Sequence, residues 1–195
     1  MKDEPVDILD RQGRKTGQVM MKSEAHAKSM WHPVAHLWIY NSKGEILLQK
    51  RAPNKIVWPN KWDVAVAGHI TAGDDPKNTV VREAMEELSI KVNPGRVTLF
   101  DRSKFEDDMP GGWINRVLIY SYICEMELEL DKLILEAEET SEVRWANYEE
   151  LEKELQNPET ENNFSPPAKI FFKAAIKEVH KRKTAKYPKV KEARK

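Results

Sequence analysis

Between residues 68 and 90 an apolar segment ending in glycine runs into a strongly signalled helix, and this stretch constrains the fold more than any other. The residues from Trp62 to Gly68 suit a strand that the glycine breaks. Asp75 then offers a side-chain cap, and Pro76 suits the first helical position, where no backbone donor is needed. The periodicity predicts a helix to about Leu88, with Val80, Val81, Ala84 and Leu88 on its inner face. Residues three and four apart share a helical face, so Glu83, Glu86 and Glu87 converge. Three neighbouring carboxylates repel one another, and a fold gains nothing from that repulsion. A divalent cation removes it, and hard oxygen ligands that leave coordination sites to water and phosphate suit Mg²⁺ or Mn²⁺. Arg82 lies one turn before Glu86 and is placed to orient it. The competing interpretation is a solvated acidic face with Arg82–Glu86 as an ordinary surface pair. The glycine loop before the helix favours a site, because loop backbone can approach a metal–phosphate cluster.

The rest of the chain suggests strands with a few helices. The residues around Arg11–Arg14 form the turn of a short hairpin, and Ser23 caps a brief helix ending before Trp31. Strands are expected at Ala35–Tyr40, Glu45–Lys50, Arg96–Lys104, Trp113–Met126 and Glu142–Trp145. The stretch Ala52–Lys61 is a loop carrying Lys55 and Trp58. Asn147 caps a helix over Tyr148–Leu155, Pro158–Pro167 is a polar connector, and Ala168 to about Lys183 is helical. No repeat is present. This order predicts a mixed sheet covered by helices.

A chain of 195 residues suits one domain with a full core. Its 32 Lys+Arg balance 32 Asp+Glu, so no whole-molecule field draws it to nucleic acid. Acidic residues concentrate over Glu125–Glu161 and basic ones over Lys169–Lys195, a pattern of solvated faces or tails, without the aromatic–glycine interleaving of RNA binders. No apolar run reaches membrane-spanning length, and the N-terminal residues lack signal-peptide character. Cys124 is the one cysteine, which fits a reducing cytoplasm.

The segment Gly68–Ile90 resembles the Nudix box, Gly-x5-Glu-x7-Arg-Glu-U-x-Glu-Glu-x-Gly-U, where U is a bulky aliphatic residue. Gly68, Arg82, Glu83, Glu86, Glu87 and Ile90 match in register. Asp74 stands where the box has glutamate, one methylene shorter, and Ser89 replaces the glycine that closes the helix. Ala84 is smaller than the usual aliphatic residue. The resemblance implies an α+β fold, a Nudix-type α/β/α sandwich with a mixed sheet and the box as loop–helix–loop. Residues 1–195 then form a single Nudix domain, with an N-terminal hairpin extension over 1–32 and a basic C-terminal helix or tail over 168–195.

Over roughly residues 5–155 the chain is similar to the Nudix subfamily related to isopentenyl-diphosphate isomerase, through Leu47–Arg51, Trp58–Asp63, Ala67–His69 and Glu142–Trp145. In those isomerases a cysteine precedes the Gly-His pair; here it is Ala67, which transfers no proton. Their later Glu-x-Glu pair aligns with Ile114-Asn115-Arg116. Both elements of the isomerase chemistry are missing. The resemblance instead implies a metal-dependent hydrolase cleaving a diphosphate linkage in a nucleoside diphosphate-type substrate. Glu83, Glu86 and Glu87, joined by the Ala67 carbonyl, are then the metal ligands, with Arg82 in the catalytic set and Asp74 as a helper carboxylate. Mg²⁺ is the implied cofactor, with Mn²⁺ as a substitute. Lys22, Arg51 and Lys55 correspond to positions that hold the diphosphate, and His69 and Trp58 join the substrate-binding set. His26, His32 and His69 match three isomerase metal-site histidines; the simpler expectation is that they hydrogen-bond the chain near the cleft. The general base is a box glutamate or one of Glu106, Glu138 and Glu139. Among Trp31, Trp58, Trp62, Phe105 and Trp113, the best candidate for base stacking is Trp58, whereas Trp145 belongs to the core. The partner is a small-molecule diphosphate, with neither membrane nor nucleic acid, and a homodimer is compatible with the sequence. The alternatives are a catalytically weak nucleotide- or diphosphate-binding module and, against Ala67 and Arg116, an isomerase.

Overall fold

The computed structural model describes residues 3–186. The hairpin pairs β1 (Pro5–Leu9) antiparallel with β2 (Lys15–Met21), and Gly13 takes a left-handed φ in its turn. Helix α1 (Lys22–Ala27) follows directly. Its N-cap is Met21, not Ser23, and no side chain caps it. Ser23 lies within the helix and is bound through both its amide and its hydroxyl to Asp3.

The main sheet is built on β3 (His32–Tyr40), an almost continuously buried strand. Its parallel neighbour is β8 (Ile114–Glu125), in register from His32 opposite Val117 to Tyr40 opposite Glu125. Beyond β8 lies the edge strand β7 (Thr98–Asp108), antiparallel to it. On the other side of β3 come β4 (Glu45–Arg51) and β9 (Thr140–Asn147), themselves antiparallel. The strand expected over residues 62–68 is two strands: β5 (Trp62–Val64) pairs with β4, and β6 (Val66–His69) pairs with β3. The chain changes partner at Ala65, so the break falls three residues before Gly68, which is regular strand. Arg96 belongs to a 3-10 turn over Pro94–Arg96 and not to a strand, because Asn93 caps that turn and Pro94 enters it.

Helices cover both faces. Helix α2 (Pro76–Leu88) begins as its sequence dictates, with the Asp75 side chain accepting from the amides of Lys77 and Asn78. Val80, Ala84 and Leu88 are fully buried against Ala35, Leu37, Ile39 and Val66; burial of a valine or leucine side chain contributes about 1.5–3 kcal/mol. Ser89 closes the helix at φ 54°, in the left-handed conformation, and the Ile90 amide reaches back to the Ala84 carbonyl. On the opposite face, α3 (Tyr148–Gln156), capped by Asn147, and α4 (Pro166–Lys186) bury Leu151, Leu155, Phe171, Phe172, Ala175 and Val179 against Trp38, Ile46 and Leu48. Two prolines start α4 before Ala168. Part of the basic C-terminal segment, residues 187–195, lies outside the described residues. The result is an α/β/α sandwich with a mixed sheet.

Candidate functional site

Gly68 fixes the inner wall of the site. A Cβ built there would stand 2.5 Å from Cδ of Glu83, so glycine is what lets the α2 carboxylate lie against β6. Burial pushes Glu83 up to about 7; the Arg82 guanidinium 2.7 Å away opposes this, while Glu86 and Glu4 add to it. Glu87 is 6% exposed, and burial, reinforced by Glu83 and Glu139, holds its pKa well above the usual carboxylate range against Lys55 and Arg51. Gln49 donates to Glu87 at 3.4 Å, and Thr140 donates in turn to Gln49, which fixes the carboxylate from below. Glu86 is exposed and pairs with Arg82 at 2.9 Å. The three glutamates share one side of α2, yet they are at different depths.

The cationic side comes from elsewhere in the chain. Lys55, its side chain 7% exposed, forms an ion pair with Glu139. Arg51 donates to the Val57 carbonyl at 3.0 Å and stands 3.8 Å from Asp63. Lys22 is buried and contacts Glu4 at 3.3 Å. Of the three base candidates, Glu139 faces Glu87, Glu138 is exposed, and Glu106 is engaged by Arg116 at 2.9 Å. Asp74 is exposed. Trp58 is half-buried in the loop after β4 and holds a left-handed φ of 49°, a strained state for an aromatic residue. The cations of Lys50 and Arg144 stand 5.6 and 4.7 Å from the Trp62 ring centre, and Trp113 stacks on His26 at 4.8 Å. Phe105 packs on Phe171, and half-buried Trp145 packs against the core on the α2 face. Sequence reasoning missed Glu4, Gln49, Asp63 and Thr140. Each acts through a partner distant in the chain, and no local pattern marks it.

The histidines form the other cluster. The Nε2 atoms of His26, His32 and His69 converge, 3.1 Å between His26 and His32 and 3.3 Å between His26 and His69. Burial depresses all three, His26 to about 4, so they are neutral at pH 7. The expected hydrogen bond to the chain is made by His32, whose Nδ1 lies 2.9 Å from the Met30 carbonyl. With that Nδ1 as donor, His32 Nε2 carries a lone pair, and His26 Nε2 can serve one of its two neighbours but not both. Such a set of neutral imidazoles could hold a borderline divalent ion such as Zn²⁺. Ala67, before His69, packs toward α4 and presents no ionisable group. At the aligned isomerase positions, Arg116 is bound by Glu106 and by the Ser29 carbonyl, and Ile114 offers no ligand.

The NUDIX domain model matches residues 30–166. The chain is 33% identical over 146 residues to an uncharacterised Nudix hydrolase of Listeria monocytogenes, covering 75% of this chain and 81% of that protein. It is 33% identical over 156 residues to Nudix hydrolase 3 of Arabidopsis thaliana, covering 77% of this chain but only 20% of the plant protein. Isopentenyl-diphosphate Delta-isomerase of Shigella flexneri is 32% identical over 94 residues, 48% of this chain and 52% of the isomerase. The crystal structure of DR0079 from Deinococcus radiodurans shares the fold, with a TM-score of 0.67 at 19% identity over 88% of this chain and 99% of that one. A family model spanning most of the chain, matched by the fold and by the box residues on α2, makes this protein a member of the NUDIX family, whose hydrolases act on phosphoric anhydrides.

Proposed function

We propose that the chain is a metal-dependent pyrophosphohydrolase that cleaves the diphosphate linkage of a nucleoside diphosphate-type substrate. The observation that carries this is Glu87. It is a buried carboxylate with Glu83 and Glu139 beside it and Lys55 and Arg51 opposing them, an arrangement that burial penalises unless a cation and an anion are brought together there. The donor set is all oxygen and fits Mg²⁺ or Mn²⁺, with Glu83, Glu86, Glu87 and the Ala67 carbonyl as the ligands. A divalent ion held there supplies charge neutralisation for the transferred phosphoryl group.

The chain's own residues do the rest. Lys22, Arg51 and Lys55 hold the diphosphate oxygens, and Arg82 aligns Glu83 and Glu86. Glu139, held by Lys55 and facing Glu87, is the general base. It takes the proton of a water whose oxygen bonds to phosphorus, while the bridging P–O bond breaks and its electrons leave with the departing phosphate. Trp58 and His69 contact the remainder of the substrate. Isomerisation of an alkene is not supported, since Ala67 supplies no proton and Arg116 is bound to Glu106.

Turnover of nucleoside di- and triphosphates, dinucleotides, nucleotide sugars and prenyl diphosphates, with Mg²⁺ and with EDTA, tests the proposal. Hydrolysis of a nucleoside diphosphate derivative that EDTA abolishes and Glu87→Gln cripples supports it. Tight binding without turnover of any compound shows a binding module instead, and double-bond migration in a prenyl diphosphate shows an isomerase.

A further inference from the structure

A cavity of about 470 Å³ opens under the tip of the β1–β2 hairpin, against the edge strand β7, and none of the residues discussed as ligands or diphosphate contacts lines it. Its walls are Arg11, Trp31, Lys104, Phe105, Glu106 and Arg116. β1 measures its separation from the carboxylates. Glu4, just before the strand, acts on Glu83 and contacts Lys22, whereas Leu9 at the far end bridges to Trp31. An extended strand rises about 3.3 Å per residue, so the two places lie on the order of 15 Å apart.

Three cations face this space against one carboxylate. Glu106 is taken by Arg116, whose guanidinium also donates to the Ser29 carbonyl at 3.0 Å. Lys104 donates to the Arg11 carbonyl and stands 5.3 Å over the Trp31 ring. Its partners are thus a neutral oxygen and a ring face, and among the described residues no carboxylate pairs with it. The Arg11 side chain is exposed, and among the described residues no carboxylate pairs with it, the neighbouring Asp10 being occupied by Arg14. Next along β7, Arg102 is bound to the Gly13 carbonyl at 3.1 Å and lies over Tyr120. Carbonyls and ring faces fix Lys104 and Arg102 in position without neutralising them, and exposed Arg11 stands beside them, so like charges are collected where folding alone gains nothing from them. An anion relieves that repulsion, and guanidinium and ammonium groups suit phosphate oxygens. Trp31 in the same wall offers a planar apolar surface, and the volume matches a ligand of nucleotide size.

We propose that this cavity is a second binding site, separate from the carboxylate centre, for a phosphate carried on a planar ring, such as a nucleoside monophosphate. The site needs no metal, so it is tested independently of the hydrolase assignment. The experiment is calorimetric titration of the full chain with adenosine monophosphate and with inorganic phosphate, in excess EDTA. The expected result is saturable binding of the nucleotide, several-fold tighter than phosphate, that Glu87→Gln leaves unchanged. Arg11→Glu, a substitution on an exposed side chain that disturbs no packing, weakens it by roughly tenfold or more, and Trp31→Leu removes the advantage of the nucleotide over phosphate. Absence of binding without metal, equal affinity for the two probes, or loss in Glu87→Gln with retention in Arg11→Glu would each overturn the proposal.

Discussion

Gly68 and Glu83 are in such close contact that the smallest side chain added to the first would overlap the carboxyl group of the second. The box glycine thus acts through space on a proposed metal ligand. It is the gap into which the helix carboxylate fits.

Gly68→Ala is therefore expected to displace Glu83 while leaving β6 paired, since its backbone is regular strand. A displacement of this size in a positioned group lowers turnover by about 10²-fold. Steady-state kinetics beside an unchanged far-ultraviolet dichroism spectrum checks this, and full activity would show that Glu83 tolerates the shift.

The carboxylates differ in depth, and their substitutions should differ in effect. Glu87→Gln, at a buried position, is expected to lower kcat by roughly 10²–10⁴-fold. Glu139→Gln should lower kcat on the order of 10²–10³-fold. Glu138→Gln, on an exposed neighbour, should be near wild type. If Glu138→Gln and Glu139→Gln behave alike, the base lies elsewhere.

Ser89 holds a left-handed conformation that glycine adopts freely. Ser89→Gly is expected to raise stability by about 0.5–1 kcal/mol, because the strain relieved outweighs the added freedom of the unfolded chain. Urea denaturation reports the change as a shift of midpoint at constant slope.

Burial pushes the Cys124 thiol up to about 12, with Arg182 and Arg96 opposing weakly. A thiol raised in the folded state favours folding below its ordinary value, near 9, and that contribution is lost progressively as pH climbs from there to about 12. Between pH 6 and 9 the native thiol should therefore stay protonated and react with a disulfide reagent no faster than the protein opens. Rapid native labelling at pH 8 would contradict this.

Much of the fold is legible where a local rule suffices. Asp75 and Asn147 cap the helices that follow them, and apolar spacing identifies the buried face of α2. The box is legible too, because its residues lie within one loop and one helix. What local rules miss is partner choice. Nothing in residues 62–69 reveals that the chain leaves β4 for β3 at Ala65, since both halves suit a strand equally. Glu139 was one of three indistinguishable acids until the fold set it beside Lys55. His26, His32 and His69 come from α1, β3 and β6, and only their packing brings the Nε2 atoms together. The cations around the hairpin tip are likewise scattered in sequence, from Arg11 to Arg116.

The parallel pairing of β3 with β8 has a kinetic consequence. It joins His32 to Val117 and Tyr40 to Glu125, and the whole segment carrying β4, β6, α2 and β7 lies between the two strands. Pairs so distant in sequence demand loop closure before they reward it, and chains dominated by them fold slowly. Hairpins such as β7–β8 can form early, but α2 finds its full bed on Ala35, Leu37 and Tyr122 only once the central strands meet. In refolding, the proposed site on α2 should thus be among the last features to mature, and recovered turnover should lag behind recovered secondary structure.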